Sequence, residues 1–356
     1  MKTILYIDLF SSLGHVQFNK NYLNSLNKTE ANVKVVLKKG YIYELGFPDS
    51  ILELSIPVIY FKDYKNSILN RFQLLKILWF IKNNLDFEKY DLILFSGYEE
   101  ISLFFSNIKS KVYLVNHNNI SGLDNPIKRF FFKKISKKNT HIVFDEFIKE
   151  RLIQIGIKNI LVIPFGLTNR IPQIQTPDIP INLFNEFSKP LCNYKYILFS
   201  PSATSVNKNL INDLIKSNVL ITYLEKNEIL FVIKGNFCES ISDNIIIINR
   251  FMSEIQYQNV FSQSDIILLC YPTSFKYRIS SVFIECISNN KLCLITDIQS
   301  FKIYKSYLNF DPFFSDEIEF TEKLKELISQ KQKTIVNWYN NTDNLTPNFD
   351  LLLNET

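Results

Sequence analysis

Short apolar runs rich in β-branched and aromatic residues alternate with segments of helical period along most of the chain. The first runs are TILYIDLF (3–10), VKVVLKK (33–39), IPVIYF (56–61), DLILFSG (91–97), KVYLVNHN (111–118), HIVFDE (141–146) and ILVIPFG (160–166). Between them, RFQLLKILWFIKNNL (71–85) and EFIKERLIQIG (146–156) have helical spacing. Strands that are apolar throughout must be covered on both faces, and intervening helices supply the cover, so the pattern predicts a parallel sheet. The rhythm breaks over 169–193, where Pro172, Pro177, Pro180 and Pro190 leave no clear period, and this segment reads as a linker. It restarts with YKYILFSP (194–201), EILFVIKG (228–235), NIIIINRF (244–251), DIILLCYP (265–272) and KLCLITD (291–297), and an amphipathic stretch over about 315–340 follows. The expected fold class is α/β, with two Rossmann-like doubly wound domains facing across a cleft. Their expected bounds are 1–168 and 194–335, with a closing segment at 336–356 that packs back on the first domain. In such sheets ligands bind beyond the C-terminal strand ends, where loops enter helices.

Composition agrees with this and removes some functions. The 356 residues suit two domains of ordinary size, and 46% hydrophobic against 21% charged residues supports a sizeable core. A net charge of +5 is too mild for a dedicated nucleic-acid binder, and no zinc-finger, RNP-like or helix-turn-helix signature occurs. The five cysteines are odd in number and lack a C-x-x-C spacing, as expected of small buried hydrophobes in a reducing compartment. The start, MKTILYIDLFSS, reads as a first strand and not as a signal peptide. No apolar run reaches the ~20 residues needed to span a bilayer, so a cytoplasmic protein is expected, with peripheral contact at the inner face of the membrane left open. The sequence lacks G-x-G-x-x-G after a first strand, a phosphate-loop motif, a D-x-D and any His/Cys metal spacing, so no metal or resident cofactor is expected.

The chemistry concentrates in YRISSVFIECISNNKLCLIT (277–296). Ser280 or Ser281 can cap a helix that follows the strand at 265–272, and the next strand begins near Lys291. Amides at such a helix start, from Ser280, Ser281 and Val282, suit a diphosphate. Arg278 stands beside them, and Glu285 one turn further on can accept hydrogen bonds from ribose hydroxyls. The other reading makes Glu285 a surface acid of an amphipathic helix. In the first half, Ser11, Ser12 and Gly14 form a tight loop after the first strand, with His15 at the start of the next helix. His117 ends another strand, and His141 begins one and reads as structural. The strongest charge cluster is NPIKRFFFKKISKK (125–138). Its Lys128, Arg129, Phe131, Lys133 and Lys134 suit an anionic membrane surface. The alternatives are an amphipathic helix with solvated lysines and, less in keeping with the net charge, nucleic acid.

The segment SDIILLCYPTSFKYRISSVFIECISNNKLCLITD resembles the nucleotide-sugar segment of two-domain GT-B glycosyltransferases. The likeness is greatest to the retaining family that builds bacterial surface polysaccharides, glycosyltransferase family 4. Asp265, Pro272, Glu285 and the strand at 292–296 match in order and spacing. VIPFGL (162–167), ILFSPSATSVNKN (197–209), ILFVIKGN (229–236) and RFMSEIQYQNVFSQSD (250–265) resemble further pieces of the same pattern. The resemblance implies a glycosyltransferase that takes a UDP- or GDP-linked sugar, with no metal, and passes the sugar to a glycan or lipid-linked acceptor in O-antigen or capsule synthesis. It implies that Lys208 meets the diphosphate, that the loop at Gly14 lies against the donor, and that His117 faces the donor sugar. It also implies that His15 is near the reacting centre, where a histidine can act as general base; a helix-capping His15 is the alternative. Two departures stand out. Eight positions before Glu285, where the family often has a first acid, is Tyr277, and Ala203 replaces a phosphate-binding Arg. They keep open a non-catalytic binding protein of the same fold, and a nucleotide-sugar epimerase is a further rival.

Overall fold

The protein is described from a computed structural model covering residues 1–11, 15–62, 66–167, 191–201, 205–237, 242–250, 252–332, 337–340 and 342–354. It divides into two compact units. The first comprises Met1–Thr168, Tyr277–Ile279 and Asp343–Thr356, and the second Asn169–Lys276 and Ser280–Thr342. Of the expected linker, 169–193, residues 169–190 lie outside the described residues, and Leu191–Asn193 form a 3-10 turn.

In the first unit the chain runs β1 (Thr3–Asp8), α1 (Val16–Asn27), β2 (Asn32–Lys38), α2 (Tyr41–Leu45), β3 (Leu52–Ile56), α3 (Ser67–Asn84) and β4 (Leu92–Gly97). It continues through α4 (Glu100–Ser106), β5 (Tyr113–Val115), α5 (Pro126–Ile135), β6 (Thr140–Val143), α6 (Glu146–Gln154) and β7 (Ile160–Val162). All pairings are parallel, in the order β3-β2-β1-β4-β5-β6-β7. The chain walks one way from β1 to β3 and the other way from β4 to β7. Right-handed crossovers then place α1 and α2 on one face and α3 to α6 on the other. The direction reverses between β1 and β4, which makes a switch point there. A continuous core under α3 to α6 includes Leu74, Ile77, Leu78, Leu103, Phe132 and Leu152. Side-chain caps start these helices where the chain leaves the strands: Asn66 for α3, Glu99 for α4, Asn125 with Pro126 behind it for α5, and Asp145 for α6.

One expected strand differs. The run at 56–61 is not extended; β3 ends at Ile56, and Val58–Tyr60 make a 3-10 turn. Pro57 cannot donate to a ladder, so pairing stops before it. The edge strand is instead LELSI, whose mixed polarity suits an edge.

The second unit runs β8 (Tyr196–Ser200), α7 (Lys208–Lys216), α8 (Asn218–Lys226), β9 (Ile229–Lys234), β10 (Ile245–Ile248), α9 (Glu254–Gln263) and β11 (Ile266–Leu269). Then follow α10 (Ser281–Ser288), β12 (Leu292–Thr296), α11 (Gln299–Lys302), β13 (Phe313–Phe314) and α12 (Glu317–Gln332). The last helix, α13 (Asp350–Asn354), goes with the first unit, where Phe349 meets the Tyr22 ring at 5.1 Å. The sheet is parallel in the order β10-β9-β8-β11-β12-β13. Here the direction reverses between β8 and β11, the strands at the centre.

Candidate functional site

The second unit brings two helix starts to the C-terminal ends of its two switch strands. From β8 the chain reaches α7, and the Asn207 amide donates to Cys270 O at the end of β11 (2.9 Å), which clamps the α7 entry beside that strand. Lys208 is the first residue of α7 and is exposed. From β11 the chain reaches α10. Ser280 caps it: its Oγ accepts the Phe283 amide (3.1 Å) and lies 2.8 Å from the Tyr271 hydroxyl. The cap takes the third amide of the helix and leaves those of Ser281 and Val282 at the mouth, where an anion would meet the positive end of the helix. Val282 also lines a small pocket with Ser200, Pro201, Val206, Cys270 and Tyr271.

Glu285 lies on α10, partly buried, and is not turned into bulk solvent. Its Oε2 accepts from the Tyr257 hydroxyl of α9. Burial raises the Glu285 carboxyl to about 7, opposed by the Tyr257 bond, which lowers it. Burial also raises the Tyr257 phenol well above its ordinary value, with Glu285 adding to the rise. Tyr257 was not expected from the sequence. A Ser253–Gln256 capping box opens the helix α9 that carries it. Asp265, matched to the family pattern, is structural: Oδ2 accepts the Ile197 amide (2.7 Å) and Oδ1 meets Lys331 Nζ.

In the first unit, His15 and His117 come together. His15 is the residue before α1, and the two rings stack with centroids 4.9 Å apart. His117 Nε2–H donates to Ser96 O at the end of β4 (2.8 Å), which fixes its neutral tautomer and leaves Nδ1 as an acceptor. Burial, and then the neighbouring His15, lowers the His117 imidazole well below its ordinary value. Among the described residues His15 Nδ1 is buried without a hydrogen-bond partner, a state that costs about 1–3 kcal/mol unless something fills it. The pair therefore sits at the switch point of the first sheet. Phe18, Phe144 and Phe165 pack around the His117 ring at 4.3, 5.2 and 6.4 Å. His141 is different. It is fully buried, stacked on Phe132 at 4.4 Å and bonded to Ser136 Oγ (2.7 Å), and burial lowers it to about 3, so it is a neutral core residue.

A cavity of about 640 Å³ opens at the C-terminal ends of β1 and β2. Its lining includes Ser11, Lys38, Lys39, Tyr41, Lys62 and Gln73, with Glu44 as the acid among them. Beneath it, buried Asp8 accepts the Phe10 amide (2.9 Å) and Asn19 Nδ2 (2.7 Å).

Other expected site residues are placed as follows. Arg278 belongs to the first unit, where Nε donates to Ser121 Oγ (2.9 Å). Tyr277, at the position of the missing acid, stacks on Phe147 at 5.5 Å and carries the Arg151 guanidinium at 5.3 Å. The basic cluster divides: Lys128 pairs with buried Glu100 (3.4 Å), and Arg129 Nε donates to Leu123 O (2.7 Å). Lys133 and Lys134 are exposed, and Phe131 lies among Phe104, Phe105 and Phe130. Ser12 and Gly14, like Ser202 and Ala203, lie outside the described residues. Among the described residues no group of three or more His, Cys, Asp or Glu could hold a metal.

No protein-family model matches the sequence, and no curated protein does. Solved structures do. The UDP-GlcNAc 2-epimerase of Methanocaldococcus jannaschii is similar with TM-score 0.60 at 12% identity, over 100% of this chain and 99% of that one. A glycosyltransferase of Rickettsia africae is similar with TM-score 0.57 at 16% identity, over 98% and 92%. Anabaena HepE, solved with UDP and glucose, is similar with TM-score 0.58 at 14% identity, over 94% and 92%. The chain thus has a fold of the GT-B type, two parallel-sheet α/β units in one polypeptide, and at these identities the likeness establishes the fold alone.

Proposed function

We propose that the chain is a metal-independent glycosyltransferase that moves a sugar from a UDP- or GDP-sugar to a hydroxyl of a glycan or lipid-linked acceptor in bacterial surface-polysaccharide synthesis. The observation that carries this reading is α10. It leaves the switch strand β11 with the Ser281 and Val282 amides at its mouth and the partly buried carboxylate of Glu285 one turn in. The amides and Lys208 would hold the diphosphate and stabilise it as it leaves, and Glu285 would exchange Tyr257 for ribose hydroxyls. HepE, which has this fold, binds UDP, which supports a uridine nucleotide. The cavity lined by Lys38, Lys39 and Lys62 supports an acceptor that carries negative charge.

In the reaction the acceptor O–H bond breaks as its oxygen bonds to the sugar C1, and the bond from C1 to the diphosphate oxygen breaks. Family resemblance points to retention of configuration. The unpartnered Nδ1 of His15 favours the second reading, inversion, with that nitrogen taking the acceptor proton. The test is nucleotide release from UDP- and GDP-sugars with and without short glycan or lipid-diphosphate acceptors, and the anomeric configuration of the product. Release that requires acceptor supports a transferase. Interconversion of the free nucleotide sugar without acceptor would instead make the protein an epimerase, like several chains of this fold.

A further inference from the structure

The face of the first unit formed by α3, α4 and α5 is a surface that folding leaves unusually apolar. On α3 the outward stripe reads Ile68, Phe72, Lys76, Trp79; Ile68, Phe72 and Trp79 are 57%, 59% and 48% exposed, while Leu74, Ile77, Leu78 and Ile81 fill the inner side. A helix apolar on all sides is ordinarily buried on all sides. α4 adds exposed Phe104 and Phe105, and α5 adds Ile127 and Phe130. The three helices are joined: Arg71 on α3 pairs with Glu99 (2.9 Å), and Ser102 Oγ of α4 donates to Arg71 O (3.0 Å). The rings of Phe104, Phe105, Phe131 and Phe130 form a run across α4 and α5 at centroid distances of 5.1 to 5.5 Å.

The charge on these three helices is mainly positive. No acid occurs in α3, or from residue 101 to 123, or from 126 to 144. The acids between these stretches are Asp86, Glu88 and Asp91 beyond the end of α3, Glu99 and Glu100 at the start of α4, and Asp124 before α5; Glu99 pairs with Arg71, Glu100 with Lys128 and Asp124 with Arg151. Exposed lysines remain on the same helices and just beyond them: Lys76, Lys133, Lys134 and Lys137. Lys134 lies over the Phe130 ring at 5.3 Å. Among the described residues no helix is long and apolar enough to cross a bilayer, so such a surface can lie on a membrane without entering it fully.

We propose that α3, α4 and α5 dock the protein on an anionic lipid bilayer, with Phe72, Trp79, Phe105 and Phe130 entering the interface and the lysines meeting lipid phosphates. Aromatic and branched aliphatic tips take up the boundary between headgroups and acyl chains, while lysine stems lie along it and reach the charged layer. Each lysine near an anionic surface adds attraction that salt weakens. Exposed Ile68, Leu69 and Ile127 have no counterpart in nucleic-acid recognition, where flat rings and guanidinium groups stack on bases. The excess of exposed lysine over unpaired acid on these helices favours a negatively charged partner. The docking stands on this surface alone and does not depend on the transferase reading.

The chain has two tryptophans, and the second, Trp338, is 7% exposed, so a change in indole emission reports mainly Trp79. The test is flotation of the full chain with vesicles of phosphatidylcholine alone or with phosphatidylglycerol added, with tryptophan emission read in parallel. Expected are binding to the anionic vesicles, a blue shift of emission, and loss of binding as salt rises. Phe72→Ser with Phe130→Ser, and separately Lys133→Glu with Lys134→Glu, should each weaken vesicle binding about tenfold or more. Both pairs are exposed, and an unchanged unfolding midpoint shows that the fold is kept. No flotation of the unaltered chain with anionic vesicles overturns the proposal. So does binding that both double variants leave intact, retention on single-stranded RNA in preference to vesicles, or a concentration-dependent blue shift without lipid, which would make the face a contact between two copies.

Discussion

Glu285 accepts from Tyr257, and burial holds its carboxyl at about 7 against an ordinary value of 4.5. A proton binds it more readily in the folded chain than in the unfolded one. Its contribution to folding is therefore fullest in acid and is lost as pH rises from about 4.5 through about 7. Nucleotide binding should run the other way, because in the proposed complex ribose hydroxyls would donate to the ionised carboxylate. UDP affinity should rise between pH 6 and 8 in calorimetric titration, and Glu285→Gln should flatten the rise. His15 and His117 invite a different measurement. If His15 Nδ1 takes the acceptor proton, His15→Ala should lower kcat by about a hundredfold or more while the KM for the donor stays nearly constant. A structural role would instead show as a lower unfolding midpoint with kcat little changed. Of these residues the sequence exposed Glu285 and both histidines, because each stands alone in an apolar run or a short loop at a strand end. It did not expose Tyr257, whose contact with Glu285 depends on how α9 and α10 lie together. It showed Tyr277 in the place of an acid, but not that the Tyr277 ring stacks on Phe147.

Among elements, the runs that became strands are those whose apolar residues are unbroken, since a parallel strand is covered on both faces. The exceptions have physical causes. Pro57 ended the strand expected at 56–61, and β13, Phe313–Phe314, is too short to carry a pattern. α3 begins at Ser67, earlier than its periodicity suggests, because Ile68 and Phe72 point outward and blur the apolar stripe while Asn66 fixes the start. The exposure of that stripe was not legible: hydrophobicity marks a residue as apolar and does not say which side of a helix lacks a neighbour. α5 begins on Asn125, whose Oδ1 accepts the Ile127 (2.9 Å) and Lys128 (3.2 Å) amides. Asn125→Ala should lower stability by about 0.5–2 kcal/mol in denaturant unfolding, with nucleotide binding unchanged.

Across the whole molecule, both sheets reverse direction once, between β1 and β4 and between β8 and β11. The candidate groups gather at those two places: the histidine pair in the first unit, the α7 and α10 starts in the second. Ligands of open parallel sheets bind where the strand order reverses, so the fold and the chemistry point to the same residues. UDP should therefore slow amide hydrogen exchange at the start of α10 and at 205–208, and leave α3 to α5 unaffected. The most direct measurement is calorimetric titration of UDP and GDP into the unaltered chain and into Glu285→Ala. The account predicts binding of at least one nucleotide and a loss of about 1–3 kcal/mol in the variant. Equal affinity in the two proteins, or no binding of either nucleotide to the unaltered chain, would contradict it.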